Sequence, residues 1–167
     1  MEALINKVAE SGIITINLED FFPNEPICLF DIKDFLFMEM LLKEKDFRAS
    51  LENHDWEQYR HKHVAIFCST DAIVPMWAYM LIATRLSPVA KSVYEGSGEE
   101  LFKKLFIENI SSLKADEFKD KRVVIKGCGE KEIPAYAYTA ISNQLLPMVK
   151  SLMYGEPCST VPVFKKK

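Results

Sequence analysis

The sequence predicts an α/β fold with a mostly parallel central sheet flanked by helices, and three observations lead there. Short β-branched runs, His63 to Cys68 and Arg122 to Ile125, alternate with longer apolar segments at helical spacing. Each run is followed by a loop and then by a helix opened by a proline, Pro75 or Pro134, at the turn where a missing N–H costs nothing. The strand, loop and helix also recur along the chain.

Taken in order, Ala3, Leu4 and Val8 share one face of a short helix that Gly12 ends, and Ile14, Ile16 and Leu18 then alternate with polar residues as a strand does. Pro23 and Pro26 mark a turn before a second strand, Ile27 to Ile32. Phe35, Leu36, Met38, Leu41 and Leu42 keep an apolar helical face, with Lys43 to Asp46 as its solvated end. Lys91 to Glu95 reads as a strand, and Leu101, Phe102, Leu105 and Phe106 as a helix after Gly98. A long final helix is expected to run up to Gly155.

Shifting the chain by 59 residues aligns 59–88 with 118–147 without a gap, and nine of the thirty positions are identical, Pro75/Pro134, Tyr79/Tyr138 and Ile82/Ile141 among them. Both loops of this tandem pair of related modules end at helix N-termini. In an open parallel sheet such loops leave the carboxyl ends of the strands, where ligand crevices form. The site is therefore expected there.

Composition bounds the rest. The 167 residues carry a net charge of −3 and are 49% hydrophobic and 27% charged, which excludes both a generally basic nucleic-acid binder and a largely disordered chain. The longest uncharged apolar run, Ala72 to Thr84, falls short of the roughly 20 residues a membrane span needs. No membrane partner is expected. The opening residues lack the pattern of a secretory signal, so the expectation is a cytoplasmic protein with four free thiols. No linker interrupts the chain; residues 1–167 read as one domain with a loose tail at about 163–167.

The two loops, Cys68-Ser69-Thr70-Asp71-Ala72 and Lys126-Gly127-Cys128-Gly129-Glu130, each carry a thiol just past a strand, and a third lies in Gly155-Glu156-Pro157-Cys158. Three readings stay open. Cys68, Cys128 and Cys158 together would suit zinc, copper, iron or an iron–sulfur cluster, although no Cys-x-x-Cys pair is present and His54 or His63 are unsupported additions. Alternatively Cys128 is a reactive thiol near a helix N-terminus, with Lys126 adding positive charge and Ser69, Thr70, Asp71, Gly127 and Gly129 framing a small anionic substrate. In the third reading the cysteines are small core residues in a non-catalytic interaction module, and Cys28, inside an apolar strand, is core in every case.

Trp77, Tyr79, Tyr136 and Tyr138 favour packing over pocket lining, because residues two apart on a helix face different sides. Asn53-His54-Asp55-Trp56 reads as a polar turn, Asp31 and Asp34 as acids at a helix start, and Lys165 to Lys167 as a solubilising end.

Five segments carry a resemblance: Phe30 to Phe37, Asn53 to Trp56, Cys68 to Pro75, Val124 to Gly129 and Gly155 to Pro162. Across nearly the whole chain they resemble an uncharacterised, mainly Bacteroidetes family, domain of unknown function 2480. The resemblance transfers no catalytic residue. It implies, through genes that lie near those for sulfur mobilisation, partners in iron–sulfur assembly. The leading expectation is accordingly a metal- or iron–sulfur-binding, or sulfur-carrying, accessory protein.

Overall fold

The computed structural model describes residues 12–126 and 129–167. In chain order the elements are β1 (Ile13–Asn17), β2 (Ile27–Asp31), α1 (Glu44–Glu52), β3 (His63–Phe67), α2 (Met76–Leu86), β4 (Ser92–Glu95), α3 (Gly98–Ser111), β5 (Arg122–Lys126), α4 (Ala135–Leu145), β6 (Ser151–Glu156) and β7 (Ser159–Lys165). Short 3-10 turns lie at Leu18–Phe21, Ile32–Phe35, Trp56–Tyr59 and Ala115–Phe118. The α/β class predicted from the sequence is the one observed, with the strands divided between two mainly parallel sheets.

The chain divides into two compact units, one continuous (Asn24–Lys103) and one split (Met1–Pro23 with Lys104–Lys167). In the continuous unit the sheet order is β2-β3-β4, all parallel. Central β3 is buried from His63 to Ile66, as its β-branched sequence requires of a strand covered on both faces. Its core gathers Phe30, Phe47, Leu51, Val64 and Ile66 with Ala78, Ile82 and Leu86, which recur every four residues along α2 and so form one buried stripe.

In the split unit the order is β1-β5-β6-β7, with only β7 antiparallel. Ala137, Ile141 and Leu145 are the buried stripe of α4. The pairings of the two units coincide in register. His63 pairs with Ile27 and Ser92, and Arg122, 59 residues on, pairs with Ile13 and Ser151. The turns into β3 and β5 also match: His61 and Asp120 adopt left-handed backbone (φ 60° and 57°) and donate their N–H to Val89 O at 2.9 Å and Met148 O at 2.8 Å.

Four segments differ from the sequence reading or fall outside the described residues. The expected helix over Phe35 to Asp46 is instead a turn closed by a Phe37–Leu41 bridge, and α1 starts only at Glu44. Met38 and Glu39 are left-handed (φ 50° and 60°), which no α-helix of L-residues accommodates, and Phe37, Met38, Met40 and Leu41 are exposed. The expected final helix ends at Leu145, and the chain turns into β6 because β5 offers a parallel partner for Ser151 to Tyr154. Residues 163–167 lie in and just past β7, where the Lys166 N–H donates to Lys150 O at 2.9 Å. The helix expected before Gly12 lies outside the described residues. Among the described residues no helix is long and apolar enough to cross a membrane.

Candidate functional site

The first loop spends its polar groups on its own structure. Asp31 ends β2, and its Oδ1 accepts two N–H groups, from Lys33 at 3.0 Å, which caps the 3-10 turn, and from Ser69 at 3.1 Å. Partial burial pushes the Asp31 carboxyl up, but the Ser69 and Lys33 hydrogen bonds outweigh it and hold the group below its ordinary value. The Thr70 hydroxyl donates to Glu39 O at 3.0 Å, tying the loop to the apolar turn before α1. Cys68 is half-buried against the core, with Sγ 3.4 Å from Thr70 Oγ1, and Asp71 is exposed.

In the split unit the second loop is organised by Glu19. Its Oε1 accepts the Lys131 N–H at 2.8 Å, and a Cβ added to Gly129 would stand 2.0 Å from the same oxygen. Gly129 thus lets a carboxylate of the chain itself lie against the backbone. Lys126 closes β5 with Nζ 3.6 Å from Glu156 Oε1. Cys158 is exposed at the turn between β6 and β7. Gly127 and Cys128 lie outside the described residues. Cys28 lies in β2, half-buried against the core. Among the described residues no group of three or more His, Cys, Asp or Glu side chains is placed to hold a metal ion.

His54 is an aromatic-cluster residue. Its Nε2 lies 3.0 Å from the Tyr59 hydroxyl, and its ring meets Phe30, Phe35 and Trp56 edge-on at centroid distances of 4.9–5.6 Å. Burial lowers its pKa, against a smaller opposing effect of Asp55, and burial first among several causes pushes Tyr59 up to about 12. Asp55 itself caps the next turn through the Glu57 N–H at 3.1 Å. The sequence reading did not single out a polar chain at the start of the continuous sheet. His63, only 8% exposed, has Nδ1 2.6 Å from Ser92 Oγ and Nε2 2.9 Å from Glu25 Oε2, and Lys91 also pairs with Glu25. Both ring nitrogens are thereby satisfied, as a buried imidazole requires.

The split unit's groove runs between α4 and β5, β6 and β7. It encloses about 700 Å³ and is walled by Ile125, Ile133, Leu152, Met153 and Val163, by Tyr138 and Tyr154, and by Thr139, Ser142 and Asn143 of α4. The two tyrosine rings meet edge to face at 5.7 Å. The continuous unit has a smaller hollow of about 370 Å³, lined by Ile66, Tyr79, Met80, Ala83, Ser87, Val93 and Glu95. Five of these, Ile66, Tyr79, Met80, Ala83 and Val93, fall 59 residues before groove-lining positions, and Glu95 does so before Tyr154.

The aromatic pairs divide as helix geometry demands. Trp77 and Tyr136 pack on Phe47 and Phe106 at 5.9 and 6.0 Å, whereas Tyr79 and Tyr138, two residues further, line the hollows. The expectation of packing therefore describes the first member of each pair. No curated protein and no solved structure matches the chain. The family model described as protein of unknown function (DUF2480) matches residues 2–166, and the chain belongs to that family.

Proposed function

We propose that the protein is a non-catalytic binding module whose ligand lies in the groove of the split unit. The observation that carries this reading is the lining of the groove: an apolar floor, a pair of tyrosines and three uncharged polar side chains from one face of α4. Such a surface suits a neutral small molecule with an aromatic or aliphatic body and a hydrogen-bonding end. The half-buried Cys28 and Cys68, which pack against the continuous unit's core, support the view that these two thiols are structural.

The test uses the neutral dye Nile red with the full chain and with Ser142→Phe, which adds a ring inside the groove. Saturable binding that falls about tenfold or more in the folded variant, a loss near 1.4 kcal/mol, is the expected result. Absence of saturable binding, or equal binding by the variant, would overturn the proposal.

A second reading keeps the thiols of a cytoplasmic protein as the site, for metal or iron–sulfur binding or sulfur transfer through Cys68, Cys128 and Cys158, with Lys126 beside them and partners in iron–sulfur assembly. The exposure of Cys158 at a hairpin turn favours it, because an accessible thiol is free to exchange or ligate. Metal analysis and a visible spectrum of protein purified without oxygen separate it from the groove reading. Stoichiometric metal lost in Cys158→Ser would support it, and metal-free, colourless protein would remove its metal and cluster forms.

A further inference from the structure

The two sheets coincide in register at the 59-residue offset but end differently. In the split unit β6 has β5 on one side and β7, antiparallel, on the other. In the continuous unit β4 pairs only with β3 among the described residues, so the side that β7 covers on β6 carries no strand on β4. The difference extends to the hollows: Val163 of β7 completes the wall of the larger groove, and the smaller hollow ends at Val93 and Glu95.

A pair of glycines marks the same position. Gly155 (φ 118°) lacks the Cβ that would meet Ser159 O of β7 at 2.6 Å, so its bare Cα admits the backbone of the added strand. Gly96 stands 59 residues earlier with φ 138°, and the atoms nearest to where a Cβ would lie are those of the Tyr94 ring, at 2.7 Å, and the Glu100 carboxylate, at 2.8 Å. A tyrosine ring can rotate aside, whereas a paired backbone cannot.

We propose that this side of β4 docks an extended peptide segment of a partner protein, added antiparallel as β7 is added to β6. Strand addition supplies backbone hydrogen bonds along an edge that would otherwise present free N–H and C=O groups. Specificity follows from the register. Phe164 lies opposite Leu152 and Val161 opposite Tyr154 across a register shift between Leu152 and Met153; a partner that reproduces this shift sets an aromatic or aliphatic residue opposite Val93 and, three positions before it, a basic residue opposite Glu95. Glu95 is exposed at the C-terminal end of β4 and supplies the negative charge that a basic partner residue would meet. The sequence sought is basic, two variable positions, then apolar.

The probe is a synthetic heptapeptide with the sequence of residues 159–165 carrying Val161→Lys, titrated into the full-length, nitrogen-15-labelled chain. Saturable shift changes are expected within Ser92–Glu95, with exchange slowed about tenfold or more at the β4 amides that do not donate to β3. Glu95→Lys, a change at an exposed site, is expected to weaken the peptide about fivefold and to favour a peptide carrying Val161→Glu instead. Four results would overturn the proposal: no change at β4, changes confined to Ser151–Glu156, protection in the free monomer of the β4 amides that do not donate to β3, or a dimer in which β4 pairs with a second copy. The Ser142→Phe comparison with Nile red reports on the split unit's groove, and the peptide titration reports on β4, so failure of one proposal leaves the other standing.

Discussion

Glu19 and Lys131, 112 positions apart, are joined by a 2.8 Å hydrogen bond from the Lys131 N–H to the Glu19 carboxylate. This bond ties the turn after β1 to the loop after β5, two segments that also share the β1–β5 pairing. The same carboxylate fills the space beside Gly129. The second loop is thus anchored at Gly129 and Lys131.

Gly129→Ala is expected to lower stability by about 1 kcal/mol, because its methyl group would overlap the Glu19 carboxylate, which must swing aside and give up the Lys131 N–H. Glu19→Ala alone should cost about 1 kcal/mol through loss of its bond from the Lys131 N–H. The double variant should be less destabilised than the sum of the two, since removing the carboxylate removes the overlap. Denaturant unfolding of all four proteins measures that coupling, and strict additivity would contradict the proposed contact.

The glycines at the ends of β4 and β6 should respond unequally to alanine. Both have positive φ, so both variants carry backbone strain of about 1–3 kcal/mol. Gly155→Ala adds a collision with the Ser159 carbonyl and should also break the β6–β7 pairing, whereas Gly96→Ala meets a movable ring and a carboxylate at the end of a side chain. Thermal unfolding should therefore rank Gly155→Ala below Gly96→Ala, and equal losses would show that the close approach of β7 does not matter.

His54 makes stability depend on pH in a defined direction. Burial lowers its folded pKa below the ordinary 6.5, so the unfolded chain binds the proton more readily. Its contribution is complete above 6.5 and is lost as the pH falls from there through the folded pKa. His54→Phe keeps a ring among Phe30, Phe35 and Trp56, loses the bond to Tyr59, and should flatten the stability curve below pH 6.5 relative to the parent. A curve of unchanged slope would mean that His54 is not desolvated.

How much of this was legible follows from the range of each interaction. β3, β5, α2 and α4 are specified by local pattern, because a strand buried on both faces and a helix with one buried stripe leave short periodic signatures. The proline starts were legible for the same reason. The turn at Phe37–Leu41 was not, since its apolar residues imitate a helix face and only the left-handed backbone of Met38 and Glu39 distinguishes it. The 59-residue repeat held a further signal: beyond the aligned window, Lys91/Lys150, Ser92/Ser151 and Gly96/Gly155 are also identical, and they mark strands β4 and β6.

The sequence by itself determined the α/β class, the proline-opened helices and the places where each loop leaves its strand, because these depend on residues within a few positions of one another. Only the tertiary structure decided that Tyr138 meets Tyr154, that Glu19 fills the space beside Gly129, and that among the described residues β6 is covered by a strand while β4 is not. Those pairings depend on which distant segments come together, and the spacing of residues along one segment carries no record of its partner.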